Sequence, residues 1–445
     1  MAGRYKPYSQ YKDSMVEWLG KIPSHWKLVR IKESAHVING YPFDSKLFEP
    51  SSGIPLVRIR DINSSKTEVG YIGKVPPESL ITDNDILVGM DGDFNVAKWK
   101  GGEAALNQRV ACIRAPNHSL QDFIFYSLPF NMKIINDLTY YTTVKHLSST
   151  DILKTRLALP PEDELTHIVN FLDRETVKID SLIEHQQQII QLLKQKRQAV
   201  ISHAVTKGLN CNAKMRDSGV EWLGDVPEEW TVCRIKHVAR LESGHTPDKK
   251  IEEYWVDCDI PWVSLNDSSQ LKEVDYISDT AFYLNEKGIA NSSARKLPER
   301  CVVFTRDASI GLAAITTRVM AVSQHIIAWV CNEKKVIPEY LLLIFYAMKD
   351  ELDRYTFGAT LKTIGMPDVN KLIAAFPDIE EQKQIIDHVF KSREKLDLLI
   401  AKAEQSIKII KERRTALISA AVTGKIDVRD WVTPKNSQTN KEVAA

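Results

Sequence analysis

The chain has 445 residues, of which 43% are hydrophobic and 26% charged, and its formal net charge is +1 at pH 7. That length exceeds what one hydrophobic core ordinarily serves, so two or more domains are expected. The near-zero charge excludes a globally basic chain, and a nucleic-acid partner would have to be met by local surface.

The opening MAGRYKPYSQYKD has no apolar core of a signal peptide, and no run of about 18 uncharged apolar residues follows it. Cys112, Cys211, Cys233, Cys258, Cys301 and Cys331 are scattered without a CxxC pair, which excludes zinc ribbons and disulfide scaffolds. The expectation is a cytoplasmic chain with reduced thiols.

From Asp13 the chain reads DSMVEWLGKIPSHWKLVRIK, and from Asp217 it reads DSGVEWLGDVPEEWTVCRIK, with 12 of 20 positions identical. The step is 204 (217 − 13). A second repeat closes each half: RQAVISHAVTKG from Arg197 matches RTALISAAVTGK from Arg414, a step of 217 (414 − 197). The same step aligns Pro160 with Pro377 and Asp180 with Asp397. A repeat of this length is a duplicated domain, not a solenoid unit. Trp18, Trp26, Trp222 and Trp230 recur with the opening phrase and read as core or docking anchors.

Between these markers, short strands and occasional helices, such as PEYLLLIFYAMK from Pro338, predict α/β or α+β lobes. GIPLVRIRDI (53–62) aligns with DIPWVSLNDS (259–268). Read as strands, they put Val57, Ile59 and Asp61 on one face and Leu56, Arg58 and Arg60 on the other. LNQRVACI sets Gln108 and Arg109 over Gln324 and His325 of VSQHIIAWV. TTVKHLSSTDI sets Lys145 over Lys362 of ATLKTIGMPDV. DNDILVGMDGDFNVAKW from Asp83 matches PERCVVFTRDASIGLAAI from Pro298. Side chains of these types read base edges or hold phosphates, and equally populate ordinary surface loops. The DNA-contact candidates are Arg58, Arg60, Asp93, Asn95, Lys98, Gln108, Arg109 and Lys145 in the first lobe. In the second they are Ser264, Asn266, Arg306, Asp307, Gln324, His325 and Lys362.

Each half ends in a heptad pattern. Ile179, Ile183, Gln186, Ile190, Leu193, Arg197 and Val200 alternate steps of four and three, and so do Leu396, Ile400, Ala403, Ile407, Ile410, Arg414 and Leu417. That is a coiled-coil seam, with the polar positions setting register. A helix from Pro161 to Lys207 would span roughly 70 Å. Chain order then makes the two helices antiparallel: a pseudo-twofold object in which two lobes are held apart by helical spacers.

No phosphate loop, GxGxxG, Asn/Asp-Pro-Pro-aromatic methyltransferase motif or metal-spaced histidine cluster occurs. The acids of PDIEEQK (377–383) sit where they complement a helix dipole.

Two variable lobes, each introduced by EWLG…P…W and followed by a matched helix, resemble the specificity subunit of type I restriction-modification enzymes. LPPEDELTHIVNFLDRETVKIDSLI and FPDIEEQKQIIDHVFKSREKLDLLI resemble that family's P-x-x-E-Q-x-x-I helix starts, and the RQAVISHAVTKG and RTALISAAVTGK phrases resemble its helix ends. The resemblance covers residues 11–426. It implies a target recognition domain at 1–155, a spacer helix at 156–208, a second recognition domain at 209–372, a distal spacer helix at 373–426 and a disordered tail at 427–445. It implies that each lobe reads one half of a bipartite, asymmetric sequence in double-stranded DNA. Two modification subunits and two restriction subunits would join this non-catalytic chain, carrying S-adenosylmethionine, ATP and Mg2+, while the chain itself binds no cofactor and no metal. The competing reading is a two-lobed DNA-binding regulator that acts without such partners.

Overall fold

The two EWLG phrases build the same entrance twice. In the computed structural model, which describes residues 5–50, 52–138, 145–357 and 362–431, Tyr11–Asp13 pairs antiparallel with Lys21–Pro23. Met215–Asp217 pairs with Asp225–Pro227 in the same way. The strand that leads into each lobe is then zipped to the strand that leaves it: Lys27–Arg30 to Arg156–Leu159, and Thr231–Arg234 to Ile373–Phe376. The chain divides into two units, one of residues 1–185 with 406–445 and the other of residues 186–405.

Inside the first unit, an antiparallel sheet runs in the order Val96–Lys98, Ile86–Gly89, Val110–Arg114, His36–Asn39. A five-stranded sheet beside it contains the parallel pair Ile54–Val57 and Ala104–Leu106. The second unit repeats the plan with Ala239–Ser243, Ile326–Cys331, Val302–Thr305, Ala313–Thr316 and Tyr276–Ile277, and with the parallel pair Ile260–Val263 and Ala321–Val322. The central strands are apolar on both faces (Ile86, Leu87 and Val88; Val302, Val303 and Phe304 are all buried). They are covered by helices such as Pro338–Ala347, and such double burial produces continuous apolar runs.

The expectation that 53–62 and 259–268 are single alternating strands is corrected. The ladders stop at Val57 and Val263. Asp61 accepts the Arg58 backbone N–H at 3.0 Å and Asp267 accepts that of Ser264 at 2.7 Å. Each carboxylate thereby closes a 3-10 turn, Ile59–Asp61 and Leu265–Asp267. A short polar side chain offered the backbone a local partner and won over the sheet.

The long helices are Glu162–Lys207 and Ile379–Val422. Acids at Glu162, Asp163 and Glu164, and at Glu380 and Glu381, occupy their first turns, where the helix dipole favours negative charge. The segments expected at 156–208 and 373–426 therefore open with a strand before the helix begins. In the first unit Ile179 and Leu417 are buried, with Ile183 and Ile410 packed on the same core. In the second, Leu396, Ile400 and Ala403 are buried. Ile190, Leu193, Val200 and Ile407 are half-buried, as is Gln186, whereas the neighbouring Ile189, Leu192 and Ile409 are exposed. The seam thus falls on the heptad positions. Register is fixed by an exchange between repeats: Arg414 donates to Asp180 (2.8 and 3.2 Å) in the first unit, and Arg197 to Asp397 (2.6 Å) in the second. These are the two pairs of repeat-equivalent residues, each acid bonded to the other copy's base, as antiparallel helices require.

A tail beginning at 427 is also corrected. Asp427 N–H donates to Lys6 O at 2.7 Å, Val428 is buried, and Trp431 meets the Phe171 ring edge-on at 5.5 Å. Apolar side chains here have a core to enter. Residues 432–445 of the expected tail, 142–144 of TTVKHLSSTDI and 359–361 of ATLKTIGMPDV lie outside the described residues.

Candidate nucleic-acid interface

Strand Ile86–Gly89 runs out into Met90-Asp91-Gly92, and three pieces of chain are stitched together there. Met90 N–H donates to Arg109 O at 3.0 Å, Leu147 N–H to Met90 O at 2.7 Å and Gly92 N–H to Lys145 O at 3.1 Å. At the centre, Asp91 accepts from Arg109 Nη1 (3.0 Å) and pairs with His146 Nδ1 (2.7 Å). The carboxylate is mostly shielded while both partners are about half exposed (21% against 54% each). A charged acceptor held by the fold therefore orients two side chains from different loops toward solvent.

The second unit repeats the frame. Arg306 N–H donates to His325 O (3.0 Å), Ile364 N–H to Arg306 O (2.9 Å) and Ala308 N–H to Lys362 O (2.9 Å). Asp307 replaces Asp91: it pairs with His325 Nδ1 at 2.6 Å and accepts the Thr363 hydroxyl. Gln324 joins through its amide nitrogen, 3.2 Å from His325 Nε2, and through its oxygen, which accepts the Thr246 hydroxyl at 2.5 Å. Arg306 Nε is buried 3.9 Å from Asp307 and has no hydrogen-bond partner among the described residues. The acid is kept at a step of 216 (307 − 91), while the groups it orients change from Arg109 and His146 to His325 and Thr363.

Close backbone approach completes the frame. A Cβ at Gly40 would lie 1.9 Å from Asn107 O, and one at Gly244 1.6 Å from Val322 O. Only glycine lets the loops carrying Tyr41 and Thr246 run against the turns that present Gln108 and Gln324.

The other sequence candidates fall into two groups. Arg60, Asp93, Asn95, Gln108, Asn266 and Lys362 are exposed. The rest serve the fold. Arg58 is tied to Asp61 (3.2 Å) and Glu68 (2.7 Å), and Glu68 also pairs with Arg60. Lys98 lies over the Phe125 ring and pairs with Asp122 at 2.6 Å, its side chain 17% exposed. Lys145 Nζ donates to Asn136 O and Oδ1, both at 2.6 Å. Ser264 is buried; its hydroxyl donates to Asp267 and accepts from Asn266 N–H. Trp26 and Trp230 are buried in their own units, donating to Glu164 (2.8 Å) and Glu381 (3.0 Å) at the starts of the long helices. Their rings are therefore closed to any partner chain, whereas Trp18 and Trp222 are half-buried.

Sequence reading missed Asp91, His146, Thr246 and Thr363. The first was recoverable: aligning Asp83 with Pro298 uses a step of 215, one short of the step between the strands Ile86–Gly89 and Val302–Thr305. The corrected step carries Asp307 back to Asp91, where the step of 215 had set it over Gly92.

Residues 23–195 and 227–408 match the family described as Type I restriction modification DNA specificity domain. The chain is 28% identical over 390 residues to the EcoBI specificity subunit of Escherichia coli, covering 84% of this chain and 80% of that one. It is 22% identical over 430 residues to the MjaVIII specificity subunit of Methanocaldococcus jannaschii, covering 92% and 95%. A chain solved in work on assembly and conformational transition of the type I R-M system shares the fold, with a TM-score of 0.68 at 16% identity over 91% of this chain and 99% of that one. The HsdS subunit of Thermoanaerobacter tengcongensis matches with a TM-score of 0.50 at 15% identity, covering 91% and 98%.

Proposed function

The chain belongs to the family of type I restriction-modification DNA specificity subunits, and from that premise we propose how its parts divide the work. Each unit reads one half of a bipartite site, the first unit taking the 5′ half. The long helices set the unread spacer, since half-sites about one helical turn (~34 Å) apart present their major grooves on one side of the duplex. The observation that carries this reading is the repeated carboxylate frame, kept in both units while the side chains it orients differ. A duplicated scaffold with unlike hands is what an asymmetric bipartite target demands.

Catalysis belongs to partners in this reading. Two modification subunits supply S-adenosylmethionine and act on adenines flipped out of the stack, and two restriction subunits with ATP and Mg2+ complete the assembly in the cytoplasm. The exposed apolar residues of the long helices support docking there: Leu182 and Ile409 in the first unit, and their repeat equivalents Leu399 and Leu192 in the second. In the first unit Leu182 and Ile409 line one groove of about 700 Å³. With a net charge of +1, most phosphate contacts come from the partners, so the salt slope of DNA binding should be smaller for the isolated chain than for the complex.

The test is methylome sequencing of cells with and without this chain, the partner subunits held constant. A new bipartite motif with one N6-methyladenine per strand is expected. An unchanged adenine methylome, with the partners expressed and active, would refute the assignment.

A further inference from the structure

Resting on the reading that each unit docks on one DNA half-site, we infer that Asp91 and Asp307 are positioning residues for two different purine readers. Arg109 reads a guanine in the first unit's half-site, and Gln324 reads an adenine in the second's.

The hydrogen-bond chain in the second unit fixes the direction of every member. The Asp307 carboxylate only accepts, so the His325 Nδ1 facing it at 2.6 Å carries the hydrogen. In the neutral ring Nε2 is then a lone pair, which accepts from the Gln324 amide at 3.2 Å. A protonated ring would set donor against donor. Gln324 Oε1 accepts from the Thr246 hydroxyl, so the amide cannot flip without breaking its bond to the imidazole. Among the described residues, one N–H and one oxygen lone pair remain free on this exposed side chain. A donor beside an acceptor at amide spacing is the complement of adenine N7 and N6–H₂ in the major groove.

The first unit presents a different hand on the same frame. Asp91 holds Arg109 by Nη1, and Nη2 and Nε have no hydrogen-bond partner among the described residues, leaving a planar pair of donors on a half-exposed side chain. Two donors in a fork match guanine O6 and N7. Arg109 Nη1 reaches both oxygens of Asp91 and lies nearer Oδ2, and His146 bonded to Oδ1 at 2.7 Å prevents the carboxylate from rotating. Neighbouring Gln108 is exposed and has no such tether among the described residues, so its side chain must be ordered at an entropic cost on binding.

The experiment measures methylation of a randomised DNA library by the complex assembled from the full chain and its modification subunits. The wild-type motif comes first; absence of any bipartite motif defeats the functional reading and leaves nothing for this inference to refine. Given a motif, Arg109→Ala should make one G·C position degenerate in one half-site, discrimination there falling roughly 10- to 100-fold. Gln324→Ala should do the same at one A·T position in the other half-site. Gln324→Glu, which keeps the shape but loses the amide donor, should also lose the adenine preference. Asp307→Asn should relax the same position as Gln324→Ala while the native motif stays methylated. Relaxation in the wrong half-site, at a different base pair, or as a uniform loss across all sequences (the signature of a phosphate contact) overturns the inference. Complete loss of methylation in Asp307→Asn, with Gln324→Ala active, makes Asp307 a framework residue and overturns its positioning role.

Discussion

Replacing Glu164 by alanine should destabilise the first unit far more than the repeat-equivalent Glu381→Ala destabilises the second. Glu164 accepts from the Tyr8 hydroxyl at 2.6 Å and the Trp26 indole at 2.8 Å, and both donors are buried. Each buried donor left without an acceptor costs about 1–3 kcal/mol, so the pair costs roughly 2–6 kcal/mol. His25, bonded to the other oxygen at 2.7 Å, is 39% exposed and finds water instead. Among the described residues the Glu381 carboxylate receives only the Trp230 indole, beside a groove of about 560 Å³ lined by Lys214, Glu229 and Glu381. Water entering that groove can replace the carboxylate, so the loss there is about 1 kcal/mol. At roughly 2–4 °C per kcal/mol for units of this size, Glu164→Ala should lower one transition by about 4–24 °C and Glu381→Ala by no more than about 4 °C. Scanning calorimetry of the full chain, with hydrogen exchange to assign each transition to a unit, measures both. Equal shifts in the two variants would refute the argument that orphaned donors, rather than loss of an acidic residue at a helix start, set the cost.

Three further outcomes are expected. Burial pushes the Glu381 carboxyl above its ordinary value of 4.5. Its favourable contribution is therefore complete below that value and lost as pH rises through the raised one; Glu381→Gln should gain stability relative to the parent across that window, and a flat difference would contradict it. The single changes Asp180→Arg and Arg414→Asp should each cost up to about 1 kcal/mol, with the double change restoring most of it in urea melts; no recovery would mean that the pair does not register the helices. Burial raises the thiols of Cys112, Cys331 and Cys301, the last to about 11, while Cys211 is exposed. Alkylation followed by mass spectrometry should label Cys211 first, and early labelling of Cys112 would contradict the packed sheet.

The heptad seam was legible because helical period is a local property: steps of four and three locate Ile179, Leu396 and Leu417 whatever surrounds them. The duplication was legible for the same reason, as two stretches compared letter by letter. Strand ends were not. The run from Gly53 to Ile62 alternates plausibly to its last residue, and the turn that breaks it depends on where the Asp61 carboxylate points. Lys98 looked like a free cation because its acid, Asp122, lies 24 residues away, and Arg58 because a strand reading sent Asp61 to the opposite face and its other acid, Glu68, lies 10 residues on. The frame around Asp91 joins segments 18 and 55 residues distant, and only the second copy, where Asp307 precedes the Gln324-His325 turn, hinted at it.

The division of the chain has a consequence for how it is made. The second unit is one uninterrupted segment, 186–405, whereas the first is assembled from 1–185 and 406–445. Ile179 and Phe171 of the first unit pack in a core that includes Leu417, Ala421 and Val428. During synthesis the second unit can therefore finish folding while the first, although begun earlier, still lacks the apolar residues that close its core. The half translated first is the half completed last, and until then its open face is the part of the nascent chain most in need of protection from aggregation.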